Sequence, residues 1–200
     1  MREHKNLQSA PVDACQRREF LKMLGGGIVV LFSVDAALLA QQKPPMGPPG
    51  QKPAFGGFGM GRGATDLNAY LKIGEDGKIT VFSGKIEMGQ ANTTALAQMA
   101  AEELRVPMDA ITMIMGDTDL CPWDMGTFGS MSVRVYGAAL RTAAAEARDI
   151  LLDLASERLQ TPKDKLSVKD GVVYASALKN KSVTFAELAR GQKLIKKPDQ

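Results

Sequence analysis

LNAYLKIGEDGKITVFS, residues 67–83, is the stretch that decides the fold. Leu67–Gly74 alternates apolar and polar side chains, the period of a half-buried strand. Glu75-Asp76-Gly77-Lys78 is a turn, with Asp-Gly supplying the positive-φ position that a hairpin needs. Lys78–Ser83 is the return strand. After a loop over Gly84–Gly89, the spacing predicts a helix from Ala91 to Arg105. Leu96, Ala100 and Leu104, flanked by Ala97 and Ala101, form its buried stripe. Pro107 ends that helix, because it can neither donate to nor fit a helical interior. Ile111–Met115 reads as a third strand.

Further along, a loop over Gly116–Thr127 leads to a long helix from Gly129 to Leu159. Its apolar positions Val133, Tyr136, Leu140, Ala144, Ala147, Leu151 and Leu154 repeat at helical period. The small residues of Gly137-Ala138-Ala139 and Ala143-Ala144-Ala145 admit a close neighbour. Lys165–Val168 and Val172–Tyr174 flank Asp170-Gly171 as a second hairpin. Val183-Thr184-Phe185 then enters a short helix, Ala186–Arg190. These elements sum to an α+β fold: a small, largely antiparallel sheet packed by two main helices, one of them long.

The ordered pattern spans residues 66–190, a length that buries about two thirds of its unfolded surface. What precedes it is different. Gln16-Arg17-Arg18-Glu19-Phe20-Leu21-Lys22 is followed by the apolar run Met23–Phe32, and residues 1–40 read as an export signal. The paired arginines resemble the twin-arginine type, with Gln16 where a small hydroxyl residue is usual. The run is too short for a membrane span of about 20 apolar residues, and Asp35 interrupts it. The same residues also suit a short basic amphipathic helix at a terminus. Cleavage is expected after Ala40, although Leu38 fits a small-x-small site poorly. The chain is then periplasmic, or membrane-anchored if the leader is kept. Residues 41–65 are a Pro/Gly-rich linker. Within it, Phe55–Gly63 mimics a phosphate loop but lacks the preceding strand and following helix that such a loop requires. Residues 191–200 form a basic tail.

Several chemistries are excluded. The net charge of +3 sits largely in the leader and tail, and no basic face is interleaved with aromatics, so nucleic acid is not an expected partner. His4 is the sole histidine, which rules out a histidine-based metal site or triad in the folded region. Cys15 and Cys121 have no metal or redox spacing.

Two loops deliver glycine and small polar residues to a helix start: Glu87–Thr94 and Met125–Ser130. A helix N-terminus presents unpaired N–H groups and a favourable dipole, and so can hold an anion. Gln90 adds an amide that can both donate and accept. Simple capping by Asn92, Thr93 and Ser130 explains the same residues equally well.

Glu87-Met88-Gly89-Gln90 before an Ala-rich helix, then Met115-Gly116-Asp117-Thr118-Asp119 and Pro122–Ser130, resembles the xanthine dehydrogenase/aldehyde oxidase family. Within that family the combination is most similar to the beta subunit of isoquinoline 1-oxidoreductase and its exported aldehyde dehydrogenase relatives. The resemblance runs over residues 66–190. It implies a molybdopterin cytosine dinucleotide cofactor, with Met88, Gly89 and Gln90 against molybdenum and pterin. It implies that Thr127, Phe128, Gly129 and Ser130 contact the dinucleotide. It further implies hydroxylation of an aldehyde or N-heterocycle with oxygen from water, and electron transfer to a [2Fe–2S] small subunit.

Two positions depart from the family pattern: Ala91 stands where glycine is usual, and Met131 where arginine is frequent. The family's catalytic glutamate lies in a Gly-Glu segment beyond Gln200, so no residue here is assigned a catalytic role and none a metal-ligating one. Glu87 is not that glutamate. Glu102 and Glu103 are expected to face solvent, while Trp123 and Asp124 either shape the site mouth or serve packing and capping. The expectation is a portion of a molybdenum hydroxylase subunit, inactive alone. Alternatives are one chain of a split enzyme, completed by the remaining large-subunit domains, or a non-catalytic exported interaction module.

Overall fold

The computed structural model describes residues 26–32, 69–122, 124, 126–175 and 178–196. Arg17 and Arg18, the cleavage point at Ala40, the 41–65 linker, Trp123 and Met125 lie outside the described residues.

Five strands form the larger sheet in the order β4-β3-β2-β1-β8, and three form a second sheet in the order β5-β6-β7. In chain order, β1 is Gly27–Phe32, β2 Ala69–Gly74 and β3 Ile79–Ser83, followed by helix α1, Asn92–Leu104. Next come β4, Ile111–Met115, a π-helical turn at Ser132–Tyr136, and helix α2, Gly137–Leu159. The chain continues through β5 Leu166–Lys169, β6 Val172–Ala175, β7 Leu178–Thr184, α3 Phe185–Ala189 and β8 Lys193–Lys196.

The hairpin of β2 and β3 pairs as its sequence reads, Leu71 opposite Val81 and Ile73 opposite Ile79. Gly77 takes φ 80° in the turn, and Asp76 Oδ1 accepts from the Lys78 N–H at 3.1 Å. The strands β3 and β4 are parallel, because α1 carries the chain back across the sheet between them. The β1–β8 pairing is parallel too, so the larger sheet is mixed, while both pairings of the second sheet are antiparallel.

Three strands, β1, β7 and β8, are not read as strands from the sequence. The apolar run that resembles a leader supplies β1, next to β2, and the basic tail supplies β8. A continuous apolar run has no alternation to mark a strand; it fits a doubly covered strand and a leader equally. Here both faces of β1 are covered. Ile28 and Val30 join Leu71, Ile73, Ile79 and Val81 in the main core, while Val29 and Leu31 pack with Phe82 on the other side. Burying four such side chains contributes roughly 6–12 kcal/mol of transfer free energy.

Helix α1 buries the expected stripe, Leu96, Ala97, Ala100, Ala101 and Leu104. Arg105 closes it at φ 57°, and the Val106 N–H reaches the Ala101 carbonyl at 3.1 Å. Against it lies α2, burying Leu140, Ala143, Ala144, Ala147, Leu151 and Ala155. Gly137 marks their close approach: a Cβ there would lie 2.7 Å from the Met99 thioether. Glu103 does not face solvent as expected, since it pairs with Arg141 and Arg148 from α2. Glu102 remains exposed beside Arg105.

The predicted helix from Gly129 begins instead with the π-helical turn. One extra residue in a turn rotates the register, so Ser132 and Val135 point inward and Val133 is 44% exposed. Leu154 is only half-buried on the same helix. The Asp170-Gly171 turn has both residues at positive φ, 51° and 73°, as a tight hairpin requires. A capping box opens α3: the Glu187 N–H donates to Thr184 Oγ1 at 3.2 Å, and the Thr184 N–H to Glu187 Oε2 at 2.8 Å.

Candidate functional site

Because β3 and β4 are adjacent and parallel, the loops that follow them leave the sheet side by side. Ser83 is the register partner of Met115, and the Gly116 N–H donates to the Ser83 carbonyl at 3.1 Å. The two loops singled out in the sequence are therefore one structural unit. The first runs from Gly84 to Ala91, the second from Gly116 to Met131.

Three fastenings hold them together. Gly84 permits the closest approach, for a Cβ there would lie 2.4 Å from Asp124 Cβ and 2.6 Å from the Pro122 carbonyl oxygen. Lys85, almost fully buried, sends its Nζ to Asp124 Oδ1 at 2.8 Å and to the Gly126 carbonyl at 2.7 Å. The Ile86 N–H donates to Thr127 Oγ1 at 2.7 Å. Asp124 Oδ1 also accepts from the Gly126 N–H at 2.8 Å, so the buried ammonium and carboxylate are both hydrogen-bonded beyond their own pair. That is the condition under which a buried ion pair recovers its desolvation cost.

The start of α1 is not an open anion cradle. Glu87 folds back over it: Oε1 accepts from the N–H groups of Gly89 at 2.8 Å and Ala91 at 3.0 Å, and Oε2 from Thr93 at 2.9 Å. These bonds, Thr93 foremost, hold the Glu87 carboxyl below the ordinary glutamate range. Asn92 and Thr93 do not cap the helix with their side chains. The Asn92 amide donates to the Ile86 carbonyl at 3.4 Å, and Thr93 Oγ1 lies 3.4 Å from Met115 Sδ. Ala91 sits at φ 60°, a left-handed conformation that glycine adopts without cost.

Of the expected ligand-facing residues in this loop, Gln90 is exposed but folds back onto its own loop. Its Oε1 accepts from the Met88 N–H at 2.6 Å and its Nε2 donates to the Ile86 carbonyl at 2.9 Å. One amide hydrogen is left to face outward. Met88 projects into solvent, 72% exposed, and Gly89, at φ 92°, has open space where a side chain would stand.

The second loop keeps more of its backbone free. Gly126, Gly129 and Ser130 have φ of 124°, 62° and 54°. Met131 closes a turn on the Phe128 carbonyl at 3.2 Å, whereas the Gly129 and Ser130 N–H groups make no hydrogen bond to any described residue. Ser130 does not cap the helix that follows. Upstream, Asp117 Oδ1 accepts from the N–H groups of Asp119 and Leu120, both at 2.9 Å. Burial pushes the Cys121 thiol up, and its Sγ donates to the Ile114 carbonyl at 3.2 Å.

Ile86, Met88, Phe128 and Val133 are large apolar side chains exposed on these two loops and the turn after them. A cluster of this kind marks a surface that meets something else. Lys85 and Glu87, the residues that organise the site, do not stand out in the sequence. A lone lysine after a strand carries no signal of burial, and a glutamate six residues before its N–H partner lies outside the usual capping spacing.

A model of the molybdopterin cofactor-binding domain matches residues 49–199. A nicotinate dehydrogenase of Pseudomonas putida has a subunit 37% identical over 127 residues, covering 64% of this chain and 10% of that protein. The xanthine dehydrogenase molybdenum-binding subunit of Escherichia coli O157:H7 is 32% identical over 129 residues, covering 64% of this chain and 17% of that protein. Among solved structures, CO dehydrogenase from Oligotropha carboxidovorans superposes with a TM-score of 0.55 at 31% identity, over 60% of this chain and 15% of that one. Quinoline 2-oxidoreductase from Pseudomonas putida 86 gives a TM-score of 0.52 at 30% identity, over 60% and 15%. The chain thus spans between a tenth and a sixth of the length of these relatives. With its paired loops at the ends of β3 and β4, the chain belongs to the molybdopterin cofactor-binding domain family and corresponds to part of a molybdenum-binding large subunit of the xanthine dehydrogenase type.

Proposed function

We propose that this chain provides one wall of a molybdopterin cytosine dinucleotide site in a molybdenum hydroxylase that oxidises an aldehyde or an N-heterocycle. The observation that carries the reading is the fastening of the two family loops by Lys85, Asp124 and Thr127 into a single surface. The donor set suits such a cofactor in part. Gly129 and Ser130 offer backbone N–H groups to a phosphate, and Thr127 keeps its hydroxyl hydrogen while its oxygen holds Ile86. Phe128 flanks them, and Met88, Gly89 and the remaining amide hydrogen of Gln90 would face the pterin and molybdenum side of such a cofactor. When bound, such a cofactor would supply two-electron redox chemistry toward the substrate carbon, with water as the source of oxygen.

The exposed apolar residues around the loops would be covered by the remaining large-subunit domains, on the same polypeptide or a separate one, and a [2Fe–2S] small subunit would accept the electrons. In this reading the chain is inactive alone, which assay of the isolated chain with an aldehyde or N-heterocycle checks. The complex is periplasmic, a reading supported by the paired arginines of the leader.

One observation favours a second reading, a non-catalytic interaction module. Glu87 fills the N–H cluster at α1 that an anionic ligand would otherwise use. The two readings separate on co-expressing the full chain with the remaining large-subunit domains in a host that makes the cofactor. Equimolar molybdenum and cytidine monophosphate released by acid hydrolysis support the hydroxylase. A stable complex carrying neither supports the module.

A further inference from the structure

We infer that the apolar run of the leader is a permanent strand of the folded protein, seated in a slot between β2 and β8. This goes beyond the molybdenum reading and does not depend on it. Three independent features mark the slot as built for residues 27–32. Both edges of β1 are paired, antiparallel to β2 from Gly27–Gly74 to Phe32–Ala69 and parallel to β8 from Gly27–Lys193 to Val30–Lys196. Ile28 and Val30 are fully buried on one face, and Val29 and Leu31 nearly so on the other. The glycine that opens the run, Gly27 at φ 128°, is needed for entry, whereas Gly26 faces only the movable end of Glu75. A Cβ on Gly27 would lie 2.3 Å from the Ile73 carbonyl oxygen, and one on Gly26 2.1 Å from Glu75 Oε1. Glu75 Oε1 also accepts from the Gly191 N–H at 3.2 Å, and the Gly27 N–H donates to the Gln192 carbonyl at 2.8 Å. The mouth of the slot is thereby closed by the chain leading into β8.

An export signal requires only an apolar run, with no such stereochemistry. Folding and leader processing thus compete for the same six residues. A chain cut after Ala40 once folded would keep its leader, held without a covalent bond as a sheet strand.

The test inserts a specific protease site between Gly50 and Gln51 of the full chain. After cleavage, the 1–50 peptide is expected to co-elute with the 51–200 piece on gel filtration and to separate only in denaturant. Gly27→Val and Val30→Asp are expected to release it. Because those variants could fail to fold, amide exchange is read on the intact natural chain. The Ile28–Leu31 amides should exchange at least about a hundredfold more slowly than an unstructured peptide. Release of the peptide from the natural sequence without denaturant, or unprotected exchange at Ile28–Leu31, overturns the proposal.

Discussion

Lys85 Nζ lies 2.8 Å from Asp124 Oδ1, a bond between residues 39 apart in the chain and buried at both ends. The two loops of the candidate site are held by it as one body. Replacing Lys85 with Met leaves the Asp124 charge buried and unpaired, and is expected to cost about 3–5 kcal/mol in urea denaturation. The double variant with Asp124→Leu should recover much of that loss. A single variant as stable as the natural protein would show that the pair does not hold the loops.

Gly84 is the other half of that junction. Gly84→Ala drives a methyl against the Pro122 carbonyl and the Asp124 side chain. The expected loss is about 1–3 kcal/mol, as for overpacking at a rigid contact. Gly137→Ala makes the contrast, for its methyl meets the movable end of Met99 and, at an ordinary 3.6 Å, Leu96 Cδ2, while gaining about 1 kcal/mol in helix propensity. Denaturation of the two variants side by side should rank them far apart; equal stabilities would mean the loops can separate freely.

Glu87 gives a pH dependence. Its carboxyl titrates lower in the folded chain than its ordinary value of 4.5, through the N–H bonds from Thr93, Gly89 and Ala91. The ionised form is therefore favoured by the fold. Its contribution is complete above the ordinary value and disappears as pH falls through the lowered one. Exchange of the Gly89, Ala91 and Thr93 amides, corrected for intrinsic rates, should accelerate on acidification below 4.5. Glu87→Gln should show the faster exchange already at neutral pH and lose the pH step. An unchanged step in that variant would assign it to another group.

Ala91 stands at φ 60°. Ala91→Gly is expected to stabilise the chain by about 1 kcal/mol, the relief of left-handed strain outweighing the added freedom of the unfolded chain. A destabilised variant would mean that the Ala91 methyl makes a contact worth more than the strain.

The π-helical turn predicts an inverted sensitivity at two neighbouring valines. Val133→Ser should change stability by less than about 0.5 kcal/mol, while Val135→Ala should cost about 1–2 kcal/mol. The reverse ranking in thermal melts would restore the regular helix that the sequence suggests.

Much of the fold is legible in the sequence because its signals are local. Alternation marks Leu71 and Ile73, Asp-Gly marks both hairpins, and the 3.6 period marks Leu96, Ala100 and Leu104. What escapes depends on contacts distant in sequence. Val29 and Val30 are buried on opposite faces, so the run containing them has no period to read. Val133 and Val135 trade places because one extra residue in a turn leaves no mark on composition. At the site, the loops Met88–Gln90 and Thr127–Ser130 are legible as glycine-bearing helix starts. Their fastening is not, because no spacing rule connects Lys85 with Asp124 or Ile86 with Thr127.

The parallel exit of the chain from Ser83 and Met115 separates two jobs that many sites combine in the same atoms. Gly84, Lys85, Asp124 and Gly126 do the anchoring, while the Met88 and Phe128 side chains are exposed. Mutation can therefore explore those two exposed side chains at little risk to foldability, while Gly89 and Gly129, at φ 92° and 62°, stay glycine. A lineage built on this scaffold can change what it recognises by rewriting those side chains, and an engineer can randomise the two positions in a library with most members still folded.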